Sequence, residues 1–243
     1  IRPLMQQAVA EEVEGVFLPE CFYSMSDGLS VTPHLVAKGN KHYQQIQQLA
    51  VDFNLYLLSG SAITRHEDGN SIVNRNYVFS PQGEEVAHYD KIHLFQCDLK
   101  QDKTVIDEAK LYSAGSELSI FKWGGMNIGQ TICFDLRFPA QFQEYRKLGV
   151  DLFTIPAAFT RPTGKAHWHT LLRARAIETQ SFIVAPAQWG KHNERISTYG
   201  HSLVIDPWGE VLADAKDGEK LITAELDFNL LAKTRQAVPI NII

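Results

Sequence analysis

Cysteine is scarce in this chain, and nothing organises the little there is. The three cysteines, Cys21, Cys97 and Cys133, are odd in number and contain no CxxC pair, which argues against a disulfide framework or a structural zinc site. No HExxH or Cys/His cluster occurs among the nine histidines. His167 and His169 are two apart, and on a helix they point to different faces, so they do not chelate together. No catalytic metal and no cofactor is expected. Positive charge is not in excess either: 23 Lys and Arg stand against 28 Asp and Glu, for a net charge of −5. That balance disfavours a nucleic-acid partner, which would require a basic footprint. No apolar run is long enough to span a bilayer, so no membrane role is expected. No signal peptide is visible, and a reducing cytoplasm is the simplest compartment. With no low-complexity tract, short repeat or Gly/Ser linker, residues 1–243 read as a single domain.

The chain is 44% hydrophobic and 21% charged, enough apolar residues to bury a large core without staples. β-rich runs recur at Val16–Pro19, Leu55–Ser59, Asn76–Ser80, Glu85–Tyr89, Leu118–Lys122, Ile128–Cys133, Leu152–Pro156, Phe182–Ala187, Ser202–Ile205, Glu210–Ala213 and Leu221–Leu226. Turn signals separate two pairs of them, at Ser80-Pro81-Gln82-Gly83 and Asp206-Pro207-Trp208-Gly209. Helical periodicity occupies Gly39–Phe53, Pro139–Leu148 and Lys165–Gln180; the last carries Trp168, Leu171, Leu172, Ala176 and Ile177 on one side. Gln101–Ile106 shows no regular pattern. Strands alternating with helices predict a layered α/β protein, and the nearly all-apolar strand Leu152–Pro156 predicts a sheet covered on both faces.

The strongest chemical signal is the segment from Met126 to Pro139, in which a strand runs into Cys133 and a turn leads on into a helix. Such a placement exposes a nucleophile at a strand end and aims the following backbone N–H groups at a developing oxyanion. Position alone favours an inert buried cysteine, because free cysteine is among the most buried residue types.

The flanking residues reverse that expectation. Ile132-Cys133-Phe134-Asp135-Leu136-Arg137-Phe138-Pro139 resembles the nucleophile motif of the nitrilase superfamily, the carbon–nitrogen hydrolases. Phe17-Leu18-Pro19-Glu20 resembles the segment carrying that family's general-base glutamate, and Tyr89-Asp90-Lys91-Ile92-His93-Leu94-Phe95 the segment carrying its lysine. The three motifs fall in the family's order, and the similarity runs from Val16 to Pro239. It implies a four-layer αββα sandwich that pairs with a second subunit. What precedes Val16 is too short for the family's first strand, which the resemblance therefore leaves absent. It also implies roles: Cys133 as nucleophile, Glu20 as general base, Lys91 as oxyanion stabiliser together with the Phe134 backbone N–H, and Glu108 as an auxiliary acid that orients the lysine.

The C-terminal third looks most like the branch that includes deaminated glutathione amidase, with the ω-amidase branch close by. The implied substrate is a small anionic α-keto-glutaryl amide. Recognition of an anion needs cationic or amide donors. Tyr23, Phe159, Thr160, Arg161, Lys165 and Arg195 are the expected substrate contacts, whereas Arg137, Arg173 and Arg175 read as structural, in ion pairs near the site or the subunit contact. Cys21, one residue past Glu20, is expected to pack. Two other classes are weighed. A Cys-His protease lacks any recognisable motif here, and an inactive nitrilase-like scaffold is disfavoured by the presence of Glu20, Lys91 and Cys133 together.

Overall fold

The computed structural model describes residues 1–99 and 104–240. Two sheets face each other. The first combines β1 (Gly15–Phe17), β2 (Tyr56–Leu58), β3 (Ala62–Arg65), β4 (Ile72–Phe79) and β5 (Glu85–Asp90). Its order is β1-β2-β4-β3, with β5 also paired to β4; only the β1–β2 pairing is parallel. A hairpin follows, β6 (Gln96–Leu99) against β7 (Thr104–Asp107). The second sheet comes from β8 (Ile120–Trp123), β9 (Met126–Gln130), β10 (Leu152–Thr154) and β11 (Phe182–Ala185). After a short hairpin of β12 (Trp189–Lys191) with β13 (Ser197–Tyr199), it is completed by β14 (Leu203–Ile205) and β15 (Val211–Asp214), giving the order β15-β14-β11-β10-β9-β8. Its centre, β9-β10-β11, is parallel.

Strand alternation decides which layer each side chain enters. On β4, Tyr77 and Phe79 pack with Tyr43, Ile46 and Ala50 of α2 (Lys41–Phe53) and with Met5 and Ala8 of α1 (Arg2–Ala10). Val78 points the other way, into a core with Leu58, Ile128, Leu152 and Phe182, which joins the two sheets. The far face of the second sheet packs Phe153, Ile155 and Ile183 against Phe142 and Tyr145 of α3 (Pro139–Lys147) and Trp168, Leu172 and Ala176 of α4 (Arg161–Thr179). The layers are therefore helix, sheet, sheet, helix, as the resemblance implies.

Local signals explain the helix ends. The Asn40 side chain caps α2 by accepting from the Tyr43 N–H at 2.9 Å, and Asn54 closes it in the left-handed region. α4 begins at Arg161, earlier than the expected Lys165, because Pro162 fits the first turn, where its missing N–H is no loss. Ile177 is 47% exposed rather than on the buried side, since α4 turns Trp168, Leu172 and Ala176 to the sheet instead.

The sequence reading and the structure part at several elements. Leu221–Leu226 pairs with no strand and is largely exposed, so β-type composition found no partner edge there. β3 and the two hairpins β6–β7 and β12–β13 were not read from the sequence. α5 (Asn229–Ala237) was also missed. Of the irregular stretch Gln101–Ile106, residues 101–103 lie outside the described residues and the rest belongs to β7.

Candidate active site

Three strand ends deliver the reacting groups. Beyond β1, Leu18 and Pro19 carry the chain over the sheet edge to Glu20, which is 3% exposed. This crossing needs glycine at position 60, in the left-handed region (φ +67°), where a Cβ would sit 2.0 Å from the Pro19 carbonyl oxygen. The Cys21 N–H donates to Ser61 Oγ at 3.0 Å, and the Gln188 side-chain amide donates to the Glu20 carbonyl at 3.0 Å. Lys91 directly follows β5; its backbone N–H donates to the Asn74 carbonyl at 2.9 Å, and its side chain is 1% exposed.

Past β9 the chain keeps strand-like pairing, with the Cys133 N–H donating to the Pro156 carbonyl at 2.9 Å. It then turns sharply at Cys133 itself, whose φ of 48° is left-handed. A non-glycine residue in that region is strained, and such strain concentrates at functional sites. Asp135, fully buried, holds the turn. Its carboxylate accepts from the Ile132 N–H at 2.8 Å and the Tyr89 hydroxyl at 2.8 Å, and from the His93 N–H at 3.0 Å. His93 Nδ1 lies a further 2.8 Å from it, and the His93 ring stacks on Phe138 at 3.6 Å. One acid thus ties the cysteine turn to the residues on either side of Lys91.

The four groups meet around one ammonium. Lys91 Nζ donates to Glu20 Oε1 at 2.8 Å and to both Glu108 oxygens, at 2.8 and 3.1 Å. Glu20 Oε1 also accepts from Asn74 Nδ2 at 2.9 Å, and Oε2 from the Ala158 N–H at 2.8 Å. Glu108, at the start of a short helical turn after β7, accepts from the Phe95 N–H at 2.7 Å. Cys133 adds a buried thiol close enough to feel both the Glu20 and the Lys91 charge.

The charges follow from burial and neighbours. Burial opposes the Lys91 charge, but Glu108 and Glu20 outweigh it and hold the ammonium's proton well above the usual lysine range. Burial, then the Glu20 carboxylate, push the Cys133 thiol well up, against the opposing pull of Lys91. Burial raises Glu108, offset in part by Lys91. The resting site therefore holds a neutral thiol beside a carboxylate that can take its proton, and a fixed cation beside both. That is the equipment for nucleophilic attack on a carbonyl carbon, with stabilisation of the oxyanion that results.

A cleft opens onto this cluster. Of the sequence-predicted residues, Glu20, Lys91, Glu108, Cys133, Phe134, Phe159 and Thr160 all line it. Tyr23, Arg161, Lys165 and Arg195 do not. The Tyr23 hydroxyl is committed to His42 Nδ1, at 2.7 Å, and to Gln45. Arg161 and Lys165 are exposed on the first turns of α4, and Arg195 is exposed on the turn between β12 and β13, where its neighbour Ile196 is the one that reaches the cleft.

Arg137 is the main reversal. It reads from sequence as a structural residue ion-paired near the site or the subunit contact, yet among the described residues no carboxylate pairs with it, and its two terminal nitrogens instead hydrogen-bond His167 Nδ1 at 3.3 Å. Its guanidinium lies over the rings of Phe159 (5.1 Å) and Phe134 (5.9 Å), and the residue lines the cleft. Burial lowers its proton affinity, as expected for a desolvated cation lacking an acid. Cys21 lines the cleft as well, as do Met25 and Tyr112. Sequence reasoning missed Asn74, the Ala158 N–H and the anchoring role of Asp135. Only Asp135 carried a signal, lying within the quoted cysteine motif.

The carbon–nitrogen hydrolase family model matches residues 1–236, nearly the whole chain. The chain belongs to the carbon–nitrogen hydrolase family. A deaminated glutathione amidase from Dictyostelium discoideum is 32% identical over 98% of this chain and 85% of its own length. The omega-amidase NIT2 of Xenopus tropicalis is 34% identical over 98% of this chain and 85% of its own length. In the solved structure of Saccharomyces cerevisiae Nit3, a member of branch 10 of the nitrilase superfamily, the fold superposes with a TM-score of 0.83 at 28% identity, covering 98% of this chain and 89% of that one. This carbon–nitrogen hydrolase is thus an amide-hydrolysing enzyme with an α/β sandwich fold. No helix among its described residues is long and apolar enough to cross a membrane.

Proposed function

We propose that the enzyme hydrolyses a small anionic amide through a thioester on Cys133, and that deaminated glutathione is its substrate, cleaved to 2-oxoglutarate and cysteinylglycine. The observation that carries the anionic preference is Arg137, a cation lining the cleft between two aromatic rings, hydrogen-bonded to the His167 ring and, among the described residues, paired with no carboxylate. A carboxylate on the substrate supplies an opposite charge, and the planar guanidinium can hold it with two hydrogen bonds.

The steps follow from the contacts. Glu20 takes the Cys133 proton as sulfur attacks the amide carbon. The tetrahedral oxyanion is held by the Lys91 ammonium and the Phe134 N–H. Glu20 returns the proton to the departing nitrogen, the C–N bond breaks, and a thioester remains. Water, deprotonated by Glu20, attacks the thioester; the acid product leaves and the thiol is restored. Glu108 keeps Lys91 aimed throughout.

α-Ketoglutaramate, the alternative substrate, passes through the same acyl-enzyme, so only the leaving-group side separates the two. Ranking kcat/KM for deaminated glutathione, α-ketoglutaramate and simple aliphatic amides tests the reading. Deaminated glutathione should rank first, and intact-mass analysis at steady state should find the acyl group on Cys133. A preference for neutral amides, nitriles or N-carbamoyl compounds would reject the substrate while leaving the thiol chemistry in place. Full turnover by Cys133→Ala would instead reject Cys133 as the nucleophile, and absence of turnover on every amide by the parent protein would favour the inactive scaffold.

Two further expectations join this proposal. The three free cysteines suit a reducing cytoplasm. The exposed Ile177 and Trp208, adjacent through Gly209, suit pairing of two copies over the α4 face. Sedimentation of the protein should then give a dimer that Ile177→Glu weakens.

A further inference from the structure

Away from the cleft, three side chains from separate segments turn their ligating atoms toward one point. His169 lies on α4, His201 just before β14, and Asp214 at the end of β15. His169 Nε2 is 3.3 Å from Asp214 Oδ2, and His201 Nδ1 is 3.0 and 3.2 Å from the two Asp214 oxygens. One ligand atom from each residue lies within 4.8 Å of the other two, the single such group of three among the described residues. These separations match the edge of a small coordination polyhedron: ligands about 2.0–2.1 Å from a tetrahedral ion sit roughly 3.3 Å apart. All three side chains are partly exposed, between 18% and 36%, leaving an entry path and room for water to complete the shell.

The surroundings fix the arrangement. His201 is a non-glycine residue in the left-handed region, with φ 57°. Its N–H donates to the Lys216 carbonyl at 3.1 Å, and its carbonyl accepts from Trp168 Nε1 at 2.8 Å. Its ring stacks on Tyr199 at 4.4 Å. Lys216, also left-handed at φ 54°, donates its N–H to Asp214 Oδ1 at 2.7 Å. A strained conformation survives only where neighbours over-determine it, and it marks a candidate functional position. None of these residues lines the catalytic cleft.

We propose that His169, His201 and Asp214 bind one divalent first-row cation of the zinc type, at a site separate from the catalytic centre. Two imidazoles and one carboxylate with open positions form a donor set that suits zinc, cobalt or nickel over magnesium or calcium. The bound ion clamps α4 to the β14–β15 pair. The same helix seats Gly164 so tightly on Tyr199 that a Cβ there would lie 2.3 Å from the ring's stem, and it begins directly after Phe159 and Thr160 of the cleft wall. The role assigned to the ion is to fix that wall, not to take part in chemistry.

The test uses full-length Cys133→Ala protein, so that the active-site thiol cannot take up metal. Calorimetric titration with zinc chloride should give one saturable equivalent and a raised Tm. His169→Gln in that background should weaken zinc at least about a hundredfold, since even partners outside the coordination shell change affinity by about 10- to 100-fold. Asp214→Asn serves if His169→Gln fails to fold, and His66→Gln should bind as the parent does. Cobalt should give visible d–d bands without thiolate charge transfer. Absence of saturable uptake, equal uptake by His169→Gln or Asp214→Asn, or a thiolate spectrum would overturn the proposal.

Discussion

Lys91 Nζ reaches Glu20 Oε1 at 2.8 Å across 71 residues of sequence, and Glu108 brackets the same ammonium at 2.8 Å. All three groups are largely withdrawn from water, so each charge depends on the others. Lys91→Met leaves two buried carboxylates facing each other. We expect a stability loss of about 3–5 kcal/mol, typical of breaking a buried pair from one side, and activity below detection. Glu108→Gln keeps the Lys91–Glu20 contact; denaturation should shift far less while kcat falls by about 10²-fold or more, as for loss of a preorganised electrostatic group. Urea titration beside steady-state kinetics distinguishes the two effects.

The Cys133 thiol is neutral at rest because burial and Glu20 outweigh Lys91. Direct alkylation by iodoacetamide, which needs thiolate, should therefore keep rising with pH beyond the usual thiol range of about 8.5, with no plateau near neutrality. Peptide mapping should assign the label that abolishes activity to Cys133. A rate already flat between pH 6 and 7, on the order of the intracellular range, would mean a preformed thiolate and a different division of labour with Glu20.

Arg137→Leu removes the cleft cation that, among the described residues, pairs with no carboxylate. KM for anionic amides should rise by about 10²-fold, the loss of a charge-assisted hydrogen-bonded contact of roughly 1.5–3 kcal/mol, with kcat for a neutral amide such as propionamide nearly unchanged. Equal losses on charged and neutral substrates would assign Arg137 a packing role against Phe134 and Phe159.

Acid stability should draw on Glu85, remote from the cleft. Burial alone would raise its carboxyl, but hydrogen bonds from His88 and Tyr43 and the charge of Lys38 bring it down to about 2. A folded value below the unfolded one of about 4.3 contributes stability that is complete above the unfolded pKa and lost as pH falls toward 2. Glu85→Gln should thus lower Tm at pH 7, and the gap to the parent should close between about pH 4 and 2. Thermal melts across that range check it.

Much of the site was legible because its chemistry is written in short contiguous segments. Glu20, Lys91 and Cys133 each follow a strand, inside short motifs that resemble those of the family. Glu108 was approachable for the same reason, though the stretch before it carries no pattern. The substrate-facing residues were far less legible. Arg137 and Arg161 look alike as isolated cations; one enters the cleft because the Cys133 turn swings it under Phe159, and the other is lost to solvent because Pro162 starts α4 early.

By itself, the sequence determined the layered α/β class and the strand–turn–helix setting of Cys133, since periodicity and local turn chemistry act over a few residues; the roles expected of Glu20, Lys91 and Cys133 came from the resemblance of their short motifs to those of the family. The tertiary structure alone decided that Glu20, Lys91 and Glu108 share one buried ammonium, that Asp135 anchors the cysteine turn to the lysine segment, and that His169, His201 and Asp214 converge. Those contacts join residues up to 71 positions apart. Distance between them is set by sheet register and layer packing, which no short window of the chain contains.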